Sequence, residues 1–152
     1  MDGIDAGIIR LLQRNARISA SEIGAEIKLS VPAVCERLKK LESSGVVQQY
    51  TAIVNPKSLG KCLSAIMFIS LERPKFNDGF VEFVSAEGEI LECHYLAGDF
   101  DYALKIVTES TATLEALLHR IKSVPGIQKT RTLVVLSTVK NKFSVSPDNF
   151  YS

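Results

Sequence analysis

The chain reads as an α+β protein whose helices and sheet are segregated along the sequence. Three observations carry this: residues 1–47 hold three short runs at helical spacing, residues 62–139 alternate strand and helix periods in the order β-α-β-β-α-β, and a β-branched run lies between them. Residues 1–47 make a small three-helix unit, 48–61 a joining strand and linker, 62–139 a mixed domain and 140–152 a C-terminal tail.

Ile4, Ile8, Leu11 and Leu12 recur at helical spacing before Asn15-Ala-Arg17, which gives a first helix able to cover two others. Ser19-Ala-Ser-Glu22 fits a capping box, so a helix of about two turns starts near Ala20, with Ile23 and Ile27 one turn apart. Lys28-Leu29 supplies a turn. Ser30 stands where it can cap a third helix, Pro32 sits in that helix's first turn where a missing N–H costs little, and Gly45 suits a left-handed stop after Ser43. Val34, Leu38 and Leu41 share one face of this helix. Pro32, Ala33, Glu36 and Lys40 point away from that face, with Lys39 beside them and Arg37 on the flank. Two helices, a tight turn and a basic end make the pattern of a helix-turn-helix that reads DNA. Helical hairpins in bundles share the pattern, and Arg37, Lys39 and Lys40 also fit a solvated face.

Val46-Val-Gln-Gln-Tyr-Thr-Ala-Ile-Val54 is rich in β-branched and aromatic residues and ends at Asn55-Pro56, which predicts a wing-like or domain-joining strand. Beyond it, Cys62–Arg73 reads as a strand. Phe80, Val81, Phe83 and Val84 lie on one side of a helix ending near Gly88, and Glu89–Leu96 forms the next strand. Gly98-Asp-Phe-Asp101 makes a turn before a strand over Tyr102–Thr108. Thr111–Lys122 is a helix with Leu114, Leu117, Leu118 and Ile121 as its stripe, ended by Pro125-Gly126, and Ile127–Val139 is the closing strand. This order is the ferredoxin-like split unit, an antiparallel sheet with two helices on one face. Apolar residues on both faces of the last strand predict that a partner chain covers the other face.

The composition narrows the setting. The 152 residues are 46% hydrophobic with a net charge of +1, enough for real cores and too balanced for a polycation held to nucleic acid by bulk charge. Residues 1–60 carry a surplus of two basic groups and the remainder a surplus of one acidic group, so any DNA contact is local and geometric. Cys35, Cys62 and Cys93 form no C-x-x-C pair and read as small, partly buried apolar groups in a reducing cytoplasm. His94 and His119 supply too few ligands for structural zinc, so no metal and no cofactor is expected. The apolar run Cys62–Leu71 is too short to span a bilayer, and no membrane anchor is expected.

With these elements placed, the chain resembles the Lrp/AsnC family of feast/famine transcriptional regulators. The resemblance rests on Asp5 before Ile8, Asn15-Ala-Arg17, Glu22-Ile-Gly, Leu29-Ser30, Glu36-Arg37-Leu38, Gly45-Val-Val, Tyr50, Asn55-Pro56, Leu59-Gly60, and Tyr95 through Gly98-Asp-Phe-Asp101-Tyr. It runs from Ile4 to Val139, nearly the whole chain. It implies a winged helix-turn-helix joined by a strand to a RAM/ACT-like effector domain, homodimers built through the joining strands and sheets, and four dimers assembling to an octamer. The implied function is a sequence-specific regulator whose assembly or DNA binding responds to a small amino acid. DNA contacts then fall on Ser30, Pro32, Ala33, Glu36, Arg37, Lys39 and Lys40, with Arg37, Lys39 and Lys40 on phosphates and the others nearer the bases. Effector contacts fall on Gly98, Asp99, Phe100 and Asp101, with Thr130 and Thr132 of a neighbouring chain.

Gly24 departs from the family, which usually has alanine there. The swap loosens the short helix by up to about 1 kcal/mol and allows close helix packing. Two alternatives share the architecture: a siroheme-decarboxylase-like enzyme, to which His94 beside Tyr95 points, and an architectural DNA-binding protein with little ligand response.

Overall fold

A computed structural model describes residues 1–147. The described residues divide into two compact units, one made of residues 1–53 with residues 140–147, the other of residues 54–139.

The first unit holds α1 (Gly3–Arg14), α2 (Ala20–Ile27) and α3 (Val31–Ser43). Reciprocal caps start two of them. Asp5 N–H donates to Asp2 Oδ1 at 2.8 Å while Asp2 N–H donates to Asp5 Oδ2 at 3.0 Å. Ser19 N–H and Oγ both donate to Glu22 Oε2 at 2.7 Å, and Glu22 N–H donates to Ser19 Oγ at 3.2 Å. The Ser19 backbone bond, followed by its hydroxyl, holds the Glu22 carboxyl below the ordinary 4.5. A lowered folded value means that the cap's contribution is complete above pH 4.5 and drains away as pH falls through that lowered value. The stability gap between wild type and Glu22→Gln, followed by thermal unfolding against pH, is therefore expected to close in that acid range.

Ile8, Ile23, Val34 and Leu41 form the centre of this unit's core, with Leu11, Leu12, Ile27 and Leu38 packed against it. Gly24 is buried at the α2–α3 turn, where its carbonyl accepts from Leu29 N–H at 3.0 Å. A β-carbon there would stand 2.6 Å from Leu29 O, so the close packing expected of this glycine is present. Lys28, at φ +59°, takes the left-handed position that ends α2. Ser30 occupies the N-cap position of α3, but its side chain makes no capping hydrogen bond. Gly45 adopts the predicted left-handed stop at φ +73°.

The joining strand differs from expectation. From Val46 to Asn55 the chain forms no strand, because a strand needs a ladder partner and this segment has none among the described residues. It is anchored at its start, where Val47 N–H donates to Leu41 O at 3.0 Å and Tyr50 Oη donates to Glu42 Oε1 at 2.9 Å. Val46, Tyr50, Ile53 and Val54 are left 46–59% exposed. The predicted tail also differs. Gln13 Nε2 donates to Ser144 Oγ and Val145 O, at 3.0 and 2.7 Å, and Pro147 is buried, so this segment belongs to the first unit. Residues 148–152 of the predicted tail lie outside the described residues.

The second unit contains β1 (Leu63–Leu71), α4 (Asn77–Ala86), β2 (Ile90–Tyr95), β3 (Tyr102–Thr108), α5 (Thr111–Lys122) and β4 (Ile127–Val135). All strand pairs are antiparallel in the order β2-β3-β1-β4, the predicted split unit. Alternation assigns the faces. Ala65, Met67, Ile69 and Leu71 of β1 meet Tyr102, Leu104 and Ile106 of β3, Phe80 and Val84 of α4, and Leu114, Leu117 and Ile121 of α5 in one core. Tyr102 fixes a corner of it, with its ring 4.8 Å from Phe80 and its hydroxyl donating to Asn77 Oδ1 at 3.2 Å. The other face carries rows of paired residues, Glu92, Lys105, Ile66 and Leu133 in one, and His94, Ala103, Phe68 and Arg131 in the next. Ile66 and Leu133 are 40% and 45% exposed, so the middle row of this face is left open. All three cysteines are exposed rather than partly buried. Among the described residues no helix is long and apolar enough to cross a membrane.

Candidate nucleic-acid interface and effector cavity

The face of α3 turned away from the core carries Pro32, Glu36 and Lys39 in line, all exposed, with Ser30 exposed at its start, Lys40 exposed on one side and Ala33 half-buried. The side chains of Glu36, Lys39 and Lys40 have no hydrogen-bond or ion-pair partner among the described residues. Arg37 is different. Its Nη1 donates to Asp2 Oδ2 at 2.9 Å and Asp5 Oδ1 at 2.6 Å, and Asp5 is only 5% exposed. These bonds raise the guanidinium's already high pKa, and the Asp2 carboxyl is held below its ordinary range first by Asp5 N–H and then by Arg37. Arg37, expected on a phosphate, here bridges the start of α1 and the middle of α3. A sequence signal for this existed in Asp2 and Asp5, but their partner lies more than thirty residues away.

In the second unit, a cavity of about 340 Å³ opens over the loop between β2 and β3, lined by Leu96 to Phe100 from the loop and by Phe68 and Arg131 from the sheet. The loop is wired to β1. Asp101 N–H donates to Ile69 O at 2.9 Å, Asp101 Oδ2 accepts from Leu71 N–H at 2.7 Å, and Ser70 Oγ donates to Asp99 O at 3.3 Å. Asp101 is thereby committed to holding the loop and is absent from the cavity lining, whereas Asp99 and Phe100 line it. The Phe100 ring lies 5.5 Å from that of Phe68, and Lys129 Nζ stands 5.2 Å over it.

Gly98 does not have a positive φ. A β-carbon there would meet nothing within 4 Å, so what the glycine leaves is open space at the cavity. Thr130 and Thr132 pair with Ile69 and Met67 on the helix side of the sheet and do not line their own chain's cavity. Sequence reasoning missed Arg131, Phe68 and Lys129. The alternation of β4, which puts Arg131 on the opposite face from Thr130 and Thr132, was the signal that could have found the first of them.

His94, the residue behind the enzymatic alternative, is exposed on the uncovered face with Nε2 3.2 Å from Glu92 Oε2. Glu92 Oε1 also accepts from Lys105 Nζ at 2.6 Å, and these two partners, Lys105 first, hold the Glu92 carboxyl below its ordinary value. A second cavity of about 390 Å³ lies over this group on the same face, bounded by Ile66 and Val135.

Comparison with known proteins agrees with this geometry. The AsnC-type helix-turn-helix domain matches residues 1–42, and the Lrp/AsnC ligand binding domain matches residues 64–145. The leucine-responsive regulatory protein of Haemophilus influenzae is 41% identical over 92% of this chain and 86% of its own. The HTH-type transcriptional regulator FL11 of Pyrococcus abyssi is 37% identical over 92% of each chain. Among solved structures, a Neisseria meningitidis transcriptional regulator in complex with L-Met superposes with a TM-score of 0.89 at 30% identity, over 95% of this chain and 96% of the other. AsnC of E. coli superposes with a TM-score of 0.90 at 26% identity, over 97% and 99%. Two matched domains covering both units, together with these full-length relatives, establish that the chain belongs to the Lrp/AsnC family of transcriptional regulators.

Proposed function

We propose that the protein is a sequence-specific DNA-binding transcriptional regulator whose assembly or DNA binding responds to a small amino acid. The observation that carries the DNA half is the outer face of α3, where Glu36, Lys39 and Lys40 are exposed and unpartnered on a helix of the matched DNA-binding domain. In this reading α3 enters the major groove, two copies in a dimer read half-sites about 34 Å or a multiple of it apart, and Lys39 and Lys40 hold phosphates. Ser30, Pro32 and Ala33 lie nearer the bases.

The effector half rests on the cavity beside Gly98. A free amino acid needs an anion for its ammonium, a cation for its carboxylate and an apolar wall for its side chain, and Asp99, Arg131 and the pair Phe68 and Phe100 supply these around one space. The L-Met complex of the Neisseria regulator and the leucine-responsive relatives support this ligand class. Thr130 and Thr132 from a neighbouring chain would complete the site. The uncovered sheet face and the unpaired segment from Val46 to Val54 support self-association, a second copy supplying the ladder partner that one chain lacks and the dimers assembling further to an octamer. The chain acts by binding rather than by catalysis, and a cytoplasmic setting follows from that role.

The experiment is a salt titration of DNA affinity on the chain's own upstream region, with and without a panel of amino acids at millimolar concentration. Lys40→Ala is expected to weaken binding to all sequences and to reduce the salt slope by about one counterion. An unchanged slope removes Lys40 from the contacts. An amino acid is expected to change DNA affinity or assembly state, because only a ligand with different affinities for two states can shift them. A panel that changes neither, nor thermal stability, removes the effector half.

A further inference from the structure

Glu36 stands opposite the buried Val34 and Leu41, at the middle of the face that α3 presents. Its carboxylate is a problem for a helix that approaches DNA. Lys39 and Lys40 lie three and four residues on, the spacing at which a helix pairs opposite charges, yet neither is bonded to it. The cation one position away, Arg37, is turned to the other side and held by Asp2 and Asp5. An anion carried uncompensated between two rows of phosphates is repelled by both, and losing its water without a donor costs still more.

The major groove offers such a carboxylate two kinds of donor, the N4 amino group of cytosine and the N6 amino group of adenine. They are not equivalent for an acceptor with two oxygens. Adenine N6 lies beside the N7 acceptor of the same base, which repels the second oxygen, whereas cytosine N4 lies beside a C5–H that does not. Guanine and thymine present only acceptors along this edge, together with the thymine methyl group.

We propose that Glu36 makes each half-site require a cytosine, accepting a hydrogen bond from its N4 amino group. The proposal rests on the reading of α3 as the DNA-reading helix and names what one residue of that helix recognises. Glu36 then works more by rejection than by attraction. At a cytosine the carboxylate is satisfied, and at any other base it is desolvated against acceptors or methyl carbon, so the wrong sequence carries the cost of a buried unpaired charge. Lys39 and Lys40 supply the sequence-independent attraction that Glu36 makes conditional.

The test is enrichment of binding sites from a randomised duplex pool by the full-length chain and by Glu36→Gln and Glu36→Ala, with thermal unfolding of all three as a check on folding. The wild type is expected to enrich one cytosine in each half-site, and replacing that base should weaken binding by roughly tenfold or more. Glu36→Gln is expected to move the preference at that position to adenine, since a side-chain amide matches N6 and N7 together. Glu36→Ala is expected to erase the preference there, leave the other positions unchanged and raise affinity for random DNA. A preference unchanged in both variants overturns the proposal while leaving the DNA-binding function standing, as does a wild-type preference for adenine at the position that Glu36→Ala releases. A wild type that enriches no sequence overturns the sequence-reading function itself, and this inference with it.

Discussion

Replacing Arg37 with alanine is expected to destabilise the helix-turn-helix unit by about 2 kcal/mol while leaving the salt dependence of DNA binding unchanged. The expectation follows from Asp5, whose side chain is 8% exposed and whose Oδ1 receives the 2.6 Å bond from Arg37. Without the guanidinium that oxygen loses its cationic donor, and the carboxylate keeps only the bond from Asp2 N–H to its other oxygen. Asp5 is buried while Arg37 is 30% exposed, so water takes up part of what the carboxylate loses and the cost is that of one weakened charge-assisted bond. Arg37→Lys should recover part of the loss, because Nη1 alone makes the bonds to both carboxylates and one ammonium nitrogen can take its place. Thermal unfolding reads the stability change, and a salt titration well below the transition reads the DNA contacts. A slope that falls by about one for Arg37→Ala, as it should for Lys40→Ala, would show that Arg37 leaves the aspartates for a phosphate.

Gly126→Ala should be comparably damaging, for a steric reason in the other unit. Gly126 has φ +85° and sits directly under the Phe76 ring, whose Cγ and Cδ2 occupy the space a β-carbon would need. Left-handed backbone costs a non-glycine residue roughly 1–2 kcal/mol, and forcing a group into occupied space adds roughly 1–3 kcal/mol. Gly60→Ala is the matched control. Gly60 has φ +74° with nothing within 4 Å of the position a β-carbon would take, so it should show the backbone cost alone. The difference between the two in thermal or denaturant unfolding isolates the collision, and equal losses would mean that the Phe76 ring moves aside freely. Gly126 O also accepts from Glu72 N–H at 2.8 Å, just before β4 begins, so a displaced turn would carry Arg131 away from the cavity as well.

What could be read from sequence was what local chemistry decides. α2 begins at the Ser19 box, and α5 and β3 span the predicted Thr111–Lys122 and Tyr102–Thr108, with Pro125-Gly126 just beyond α5, since each signal sits within a few residues of the boundary it marks. The split-unit order followed from those periods. The largest failures were non-local. Val46 to Val54 has the residues of a strand but no ladder among the described residues. Arg37 looked like one more basic group until its partners appeared at the start of α1, and Ser30 stands at the right position without making the bond expected of it. In the candidate effector site the loop was legible as a unit. The split between Asp99, which lines the cavity, and Asp101, which braces it, needed the register of β1.

That bracing has a calorimetric consequence. Three hydrogen bonds pin Asp99 and Asp101 to Ile69, Ser70 and Leu71, so the ordering entropy of the loop is lost when the chain folds and not again when a ligand arrives. Association at this loop should therefore be fast and carry little unfavourable ordering entropy. Discrimination between ligands would then come from how well a side chain fills a fixed volume, since a frame pinned to a core strand has little freedom to reshape itself around a poor fit.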